Sequence, residues 1–123
     1  MFSTEKFDKT FKNIWAEFSE GFYTDVRENE NALEIIVDIP GVEKKDIDIS
    51  LDNRILTISA KREKTDCSKY KIISERRWSG EEKVSYRLGF PVEEKDISAE
   101  LNLGVLTLKI PKTKTPVKKI EIT

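Results

Sequence analysis

Residues 47–60 read Ile47-Asp48-Ile49-Ser50-Leu51-Asp52-Asn53-Arg54-Ile55-Leu56-Thr57-Ile58-Ser59-Ala60. Apolar residues take every second position up to Leu51, and an apolar run resumes after the polar Asp52-Asn53-Arg54. A period of two sends alternate side chains to opposite faces of an extended chain, so each half is a strand with a face to bury. Turn-forming residues between two such runs make a hairpin. The same grammar extends both ways. Leu33, Ile35 and Val37 alternate with Glu34, Ile36 and Asp38, and Pro40-Gly41 ends that run. Val84 to Phe90 is closed by Pro91, Ile97 to Leu101 turns through Gly104, and Val105 to Ile110 is closed by Pro111. Short strands at near-regular spacing predict an all-β antiparallel sandwich, not alternating βαβ units.

One interval departs from that rhythm. Residues 61–83 exceed what compact domains usually leave without structure. Within them Tyr70 and Ile72 alternate with Lys69 and Lys71, and Ile73 follows. This predicts a short strand, residues 69–73, carried on a long excursion. Pairing with the sheet edge of a second copy would satisfy its backbone groups. An ordinary edge hairpin within the chain is the alternative.

The two ends have a different character. Phe7, Phe11, Ile14, Trp15, Phe18 and Phe22 fall within roughly 100° of arc at 100° per residue. Lys9, Lys12, Asn13, Glu17 and Glu20 lie outside that arc, so residues 1–22 are predicted as an amphipathic helical arm. Its aromatic face would pack on another copy, on unfolding proteins, or on a face of its own sandwich. At the other end, residues 113–123 are polar and interrupted by Pro116. They finish Ile120-Glu121-Ile122-Thr123, whose two isoleucines share one side of an extended chain. This segment is either a detached tail with an apolar anchor or a last strand of its own sheet.

Composition narrows the function. Among 123 residues, 22 Lys and Arg stand against 23 Asp and Glu. That balance argues against a strongly basic nucleic-acid binder. No apolar stretch is long enough to span a membrane, and the N-terminus lacks a signal pattern, so a soluble, cytoplasmic chain is expected. The absence of His removes the commonest general base and transition-metal ligand. The single Cys67 allows neither an internal disulfide nor a Cys-rich zinc site. Gly80-Glu81-Glu82-Lys83 lacks the leading glycine and trailing hydroxyl residue of a phosphate loop. No catalytic residue, cofactor or metal is therefore assigned, and an enzyme is not expected. Many Lys, Glu and Ile with no Gln lean toward a thermophile composition.

Several segments, in order, carry a family resemblance. Asp38-Ile39-Pro40-Gly41-Val42 with Lys45-Asp46-Ile47 resembles the D-[LI]-P-G-x-x-K-x-D-I signature of the small heat-shock proteins. Leu56-Thr57-Ile58 with Lys61-Arg62-Glu63 is similar to the segment that follows it there. Ala99-Glu100-Leu101, Gly104-Val105-Leu106-Thr107-Leu108 and Ile110-Pro111-Lys112 resemble the end of the α-crystallin domain, and Ile120-Glu121-Ile122 its I-x-I anchor. In this chain Tyr86 stands where the family's F-x-R-x-[FI]-x-L-P has arginine, and Leu103 stands where an asparagine commonly precedes the glycine.

The resemblance implies an immunoglobulin-like α-crystallin sandwich over 23–112, between the arm (1–22) and the tail (113–123). It implies an ATP-independent holdase that captures partly unfolded clients, stored as a homo-oligomer of strand-exchanged dimers. It also implies that Ile120 and Ile122 dock in a neighbour's groove formed by Ile47, Ile49 and Leu51 with Ile97, Ala99 and Leu101. The alternative from another class is a monomeric CS-domain-like co-chaperone, which needs neither arm nor tail.

Overall fold

The computed structural model describes residues 5–6, 14–18, 22–112 and 122. Among these residues nine strands run in chain order: β1 (Glu5–Lys6), β2 (Ile14–Phe18), β3 (Tyr23–Glu28), β4 (Ala32–Asp38), β5 (Ile47–Asp52), β6 (Ile55–Arg62), β7 (Gly80–Leu88), β8 (Ser98–Asn102) and β9 (Val105–Pro111). They form two sheets, ordered β1-β2-β7-β6-β5 and β3-β4-β9-β8, with every pairing antiparallel.

The alternation read in the sequence supplies the interior. Leu33, Ile35 and Val37 of β4 face Leu56, Ile58 and Ala60 of β6 and Val84, Tyr86 and Leu88 of β7 across one core, completed by Leu106, Leu108 and Ile110 of β9. All are nearly inaccessible to water. At about 1.5–3 kcal/mol for each fully buried large side chain, this layer is the main favourable contribution to folding.

Two hairpins close through two-residue turns with positive φ. These are Asn53 (51°) and Arg54 (66°) between β5 and β6, and Leu103 (51°) and Gly104 (78°) between β8 and β9. Such turns match the right-handed twist of the flanking strands. At Gly104 the requirement is also steric, because a Cβ there would lie 3.0 Å from Pro40 Cα. The Gly104 carbonyl accepts from Ile39 N–H at 2.7 Å, which ties this hairpin to the turn after β4.

The relative order of the sheets follows from Tyr86. Its side chain crosses from β7 to lie against Thr24 of β3. That places β3 over the β2–β7 end of the facing sheet. The opposite flank is therefore bordered by the two terminal strands β5 and β8.

The helical expectation for the arm does not hold over residues 14–18, which form β2. This strand pairs with β7 from Ile14↔Leu88 to Glu17↔Ser85. The reason is tertiary: β7 would otherwise present a row of unpaired N–H and C=O groups, and residues rich in β-branched and aromatic types pair there readily. Phe7 and Phe11 lie outside the described residues. Phe22 is also relocated, since it is buried in the core rather than displayed.

Candidate functional site

The flank between β5 and β8 is left half covered. Ile47, Ile49 and Leu51 of β5 pack on the core, as do Ile97, just before β8, and Leu101 within it, yet each keeps part of its surface open; Ala99 is exposed. Among the described residues no further strand closes this seam, so an apolar strip lines it. Five of the six residues implied by resemblance thus fall on the two strands that border one flank, and Ile97 directly precedes one of them.

Both border strands are entered by the same device. Glu43-Lys44-Lys45-Asp46-Ile47 and Glu93-Glu94-Lys95-Asp96-Ile97 each make a single 3-10 turn, at Lys44–Asp46 and Glu94–Asp96. Asp46 N–H donates to Glu43 O at 2.9 Å, and Asp96 N–H to Glu93 O at 3.0 Å. Lys45 pairs with Glu43 at 3.3 Å and Lys95 with Glu93 at 3.1 Å. The hydrogen bond that each lysine ammonium donates to its glutamate, and then the charge of that carboxylate, raise the pKa of the lysine. This repeated Glu-x-Lys-Asp-Ile pattern was legible in the sequence and marks the two seam strands as equivalents.

A second open surface among the described residues is the outer edge of β3, the end strand of its sheet. Its Tyr23 is 78% exposed, and Val26 is also exposed. Residues 69–73 form no strand within the chain, so the expected strand is absent from the single molecule. Their one local backbone bond is Tyr70 N–H to Cys67 O at 2.9 Å. Tyr70, Ile72 and Ile73 stand out in solvent, Ile73 at 93%. With no neighbouring strand among the described residues, a period-two pattern alone does not make this stretch a strand. Cys67, half-buried, donates Sγ–H to Thr65 O at 3.3 Å.

The base of the excursion was not read from the sequence. Trp78 packs on the core and meets the Phe22 ring edge-on at 5.8 Å. Arg62 lies over Trp78 with its guanidinium 4.2 Å from the ring centre. Its Nε donates to Trp78 O at 2.8 Å and its terminal nitrogen to Pro40 O at 3.1 Å. Burial, and then the nearby Arg77 charge, lowers the Arg62 pKa. The spacing of sixteen residues hides this pair from any local pattern.

At the tail end, Ile122 is almost wholly exposed; Ile120 lies outside the described residues. Among the described residues, no cluster of three or more acidic, His or Cys side chains is placed to hold a metal ion. None of their helices is long and apolar enough to cross a membrane.

A sandwich with an open apolar seam and an unpaired edge defines a class of interaction domain, and comparison identifies it. Residues 25–123 match the Hsp20/alpha crystallin family, and the chain belongs to that family of small heat-shock chaperones, which are not enzymes. The chain is 32% identical to the small heat shock protein C4 of Rickettsia felis over 94% of its own length and 79% of that protein's. It is 40% identical to a probable 15 kDa heat shock protein of Leptospira interrogans over 80% of its own length and 75% of the relative's. In three dimensions it is similar to a small heat-shock protein from Xylella fastidiosa, with TM-score 0.63, 27% identity and coverage of 83% and 95% of the two chains. Heat shock protein 16.0 of Schizosaccharomyces pombe gives TM-score 0.65 at 27% identity, covering 83% and 75%. The departure at Tyr86 has a structural counterpart: the side chain is fully buried, so no charge occupies that position.

Proposed function

We propose that this protein is an ATP-independent holdase that assembles from copies of itself and binds partly unfolded clients on apolar surface its own sandwich leaves uncovered. The observation that carries this reading is the half-open β5–β8 seam, together with the exposure of Ile122. Docking Ile120 and Ile122 of one copy into the seam of another is worth roughly 3–6 kcal/mol before ordering costs. Such a contact is weak alone and populated only where linked sites raise the effective concentration.

The second contact pairs residues Lys69, Tyr70, Lys71, Ile72 and Ile73 of one copy with the β3 edge of another. Pairing would supply the ladder these residues lack and cover Tyr23 and Val26. The Xylella fastidiosa relative forms a distinct high order structure, which supports assembly as the storage form. Phe7, Phe11, Ile14, Trp15 and Phe18 supply client-binding surface in this reading. Phe22 drops from that set because it is committed to the core.

The test heats a model client with and without the protein, in the absence of ATP, and follows light scattering alongside the mass of the free protein. A large, exchanging particle that suppresses scattering is expected. A stable monomer that leaves client aggregation unchanged would refute the proposal.

A further inference from the structure

The end of β9 is fastened on one side only. β9 pairs with β8 from Val105 as far as Lys109, opposite Ser98, whereas its pairing with β4 continues to Pro111, opposite Ala32. Immediately beyond, Lys112 N–H donates to Asn31 O at 2.8 Å. The Lys112 side chain is only 18% exposed, and its ammonium pairs with Glu28 Oε2 at 2.8 Å and donates to Asn29 O at 2.8 Å. Its receiving turn is itself well built: Asn29 Oδ1 accepts from Asn31 N–H at 2.8 Å and Ala32 N–H at 2.9 Å. The chain therefore leaves the sandwich over the tip of the β3–β4 hairpin, on the side of β9 away from β8.

Reach does not by itself decide where the tail goes. Eight residue steps separate Lys112 from Ile120, and they extend at most about 26 Å. β8 is the strand next to β9, a single inter-strand spacing of about 4.8 Å away. The molecule's own β5–β8 seam therefore lies within range of its own Ile120 and Ile122, and direction must discriminate.

We infer that the Lys112–Glu28–Asn29 clamp is a specificity device that points the tail away from its own seam and commits the two isoleucines to a second copy. Lys112 acts as a positioning residue: it touches neither isoleucine nor the seam. Reversing from the clamped direction would require releasing a half-buried ion pair and two further hydrogen bonds. This inference rests on the tail-to-seam docking proposed above.

The test mixes isotopically light and heavy protein, lets the copies exchange, and crosslinks lysines. Lys118 and Lys119 flank the anchor, while Lys45 and Lys95 stand at the two entrances to the seam. In the unaltered protein, tail-to-seam crosslinks should join light to heavy chains at the statistical share for contacts between copies. In Lys112→Ala and in Glu28→Gln, the mixed share should fall about twofold or more, with same-chain crosslinks rising and smaller particles appearing. Lys112→Arg, which keeps the charge and donors, should restore the mixed share. The two disrupting variants act from opposite partners of one ion pair, and circular dichroism confirms that each is folded. An unchanged mixed share in both folded variants overturns the clamp while leaving the docking itself intact. Complete absence of tail-to-seam crosslinks in the unaltered protein would instead remove the docking on which the clamp depends.

Discussion

The guanidinium of Arg62 stacks 4.2 Å from the centre of the Trp78 ring while its Nε donates to the carbonyl oxygen of the same residue at 2.8 Å. One residue ends β6 and the other precedes β7, so the pair closes the neck of the excursion formed by the residues between them. Trp78 in turn meets Phe22, the residue that leads into β3. The long segment between the strands is thus anchored at its base to both sheets.

Removing that anchor has a defined size. Arg62→Ala loses a cation–π contact and two hydrogen bonds from a charged donor, an expected loss of about 2 kcal/mol. Arg62→Lys keeps the charge but not the planar fork, and should recover only part of the loss. Urea unfolding midpoints at one fixed protein concentration measure both. Equal midpoints for all three proteins would show that the neck contributes nothing to stability.

The β8–β9 turn predicts two neighbouring substitutions of opposite sign. Leu103 is 94% exposed and held at φ 51°, a conformation unfavourable for a branched aliphatic side chain. Leu103→Asn should therefore stabilise by about 0.5–1 kcal/mol. Gly104→Ala should destabilise by about 1–3 kcal/mol, since it combines φ of 78° with a Cβ 3.0 Å from Pro40. Thermal melts of the two variants should move in opposite directions, and melts moving together would contradict the turn geometry.

Alkaline stability should depend on Tyr86. Burial pushes its pKa from 10.0 up to about 12, with the neighbouring Thr24 opposing the shift. Burial favours the neutral phenol, so the unfolded chain loses this proton first as pH rises. Its contribution is complete below pH 10 and declines through pH 12, by about 2–3 kcal/mol in all. Tyr86→Phe should show a shallower decline in urea midpoint across that window. An identical pH profile would mean that Tyr86 does not govern it.

The pairing of residues 69–73 with β3 is testable by charge. Tyr70→Asp with Ile72→Asp places two carboxylates opposite an edge that carries Asp25 and Glu28, at positions exposed in the single chain. The monomer should remain folded, while the smallest assembled unit measured by sedimentation should fall from a dimer to a monomer. A dimer of unaltered stability would exclude this strand from the interface.

Most of the sandwich was legible because its strands announce themselves locally. Leu33-Glu34-Ile35, Ile47-Asp48-Ile49 and Leu106-Thr107-Leu108 alternate in the sequence as they alternate between core and exterior. The seam was legible only through resemblance, although the paired Glu-x-Lys-Asp-Ile entrances offered a direct signal. Ile14, Trp15 and Phe18 show why the arm was misread over 14–18. Their spacing fits a helix, but pairing with β7 outweighs a local periodicity that no partner is needed to satisfy. Phe22 belonged to the same stripe, and the passage from one sheet to the other took it into the core.

The amino-acid order alone determined the core strands β4 to β9 and the places where the chain turns between them, because these depend on side-chain alternation and on residues a few positions apart. Tertiary structure decided that β5 and β8 share a flank, that Arg62 caps Trp78, and that Lys112 turns the chain's exit toward the β3–β4 hairpin. Each of those depends on groups distant in the chain meeting at a few ångströms, where burial and charge act only once the sheets have closed on one another.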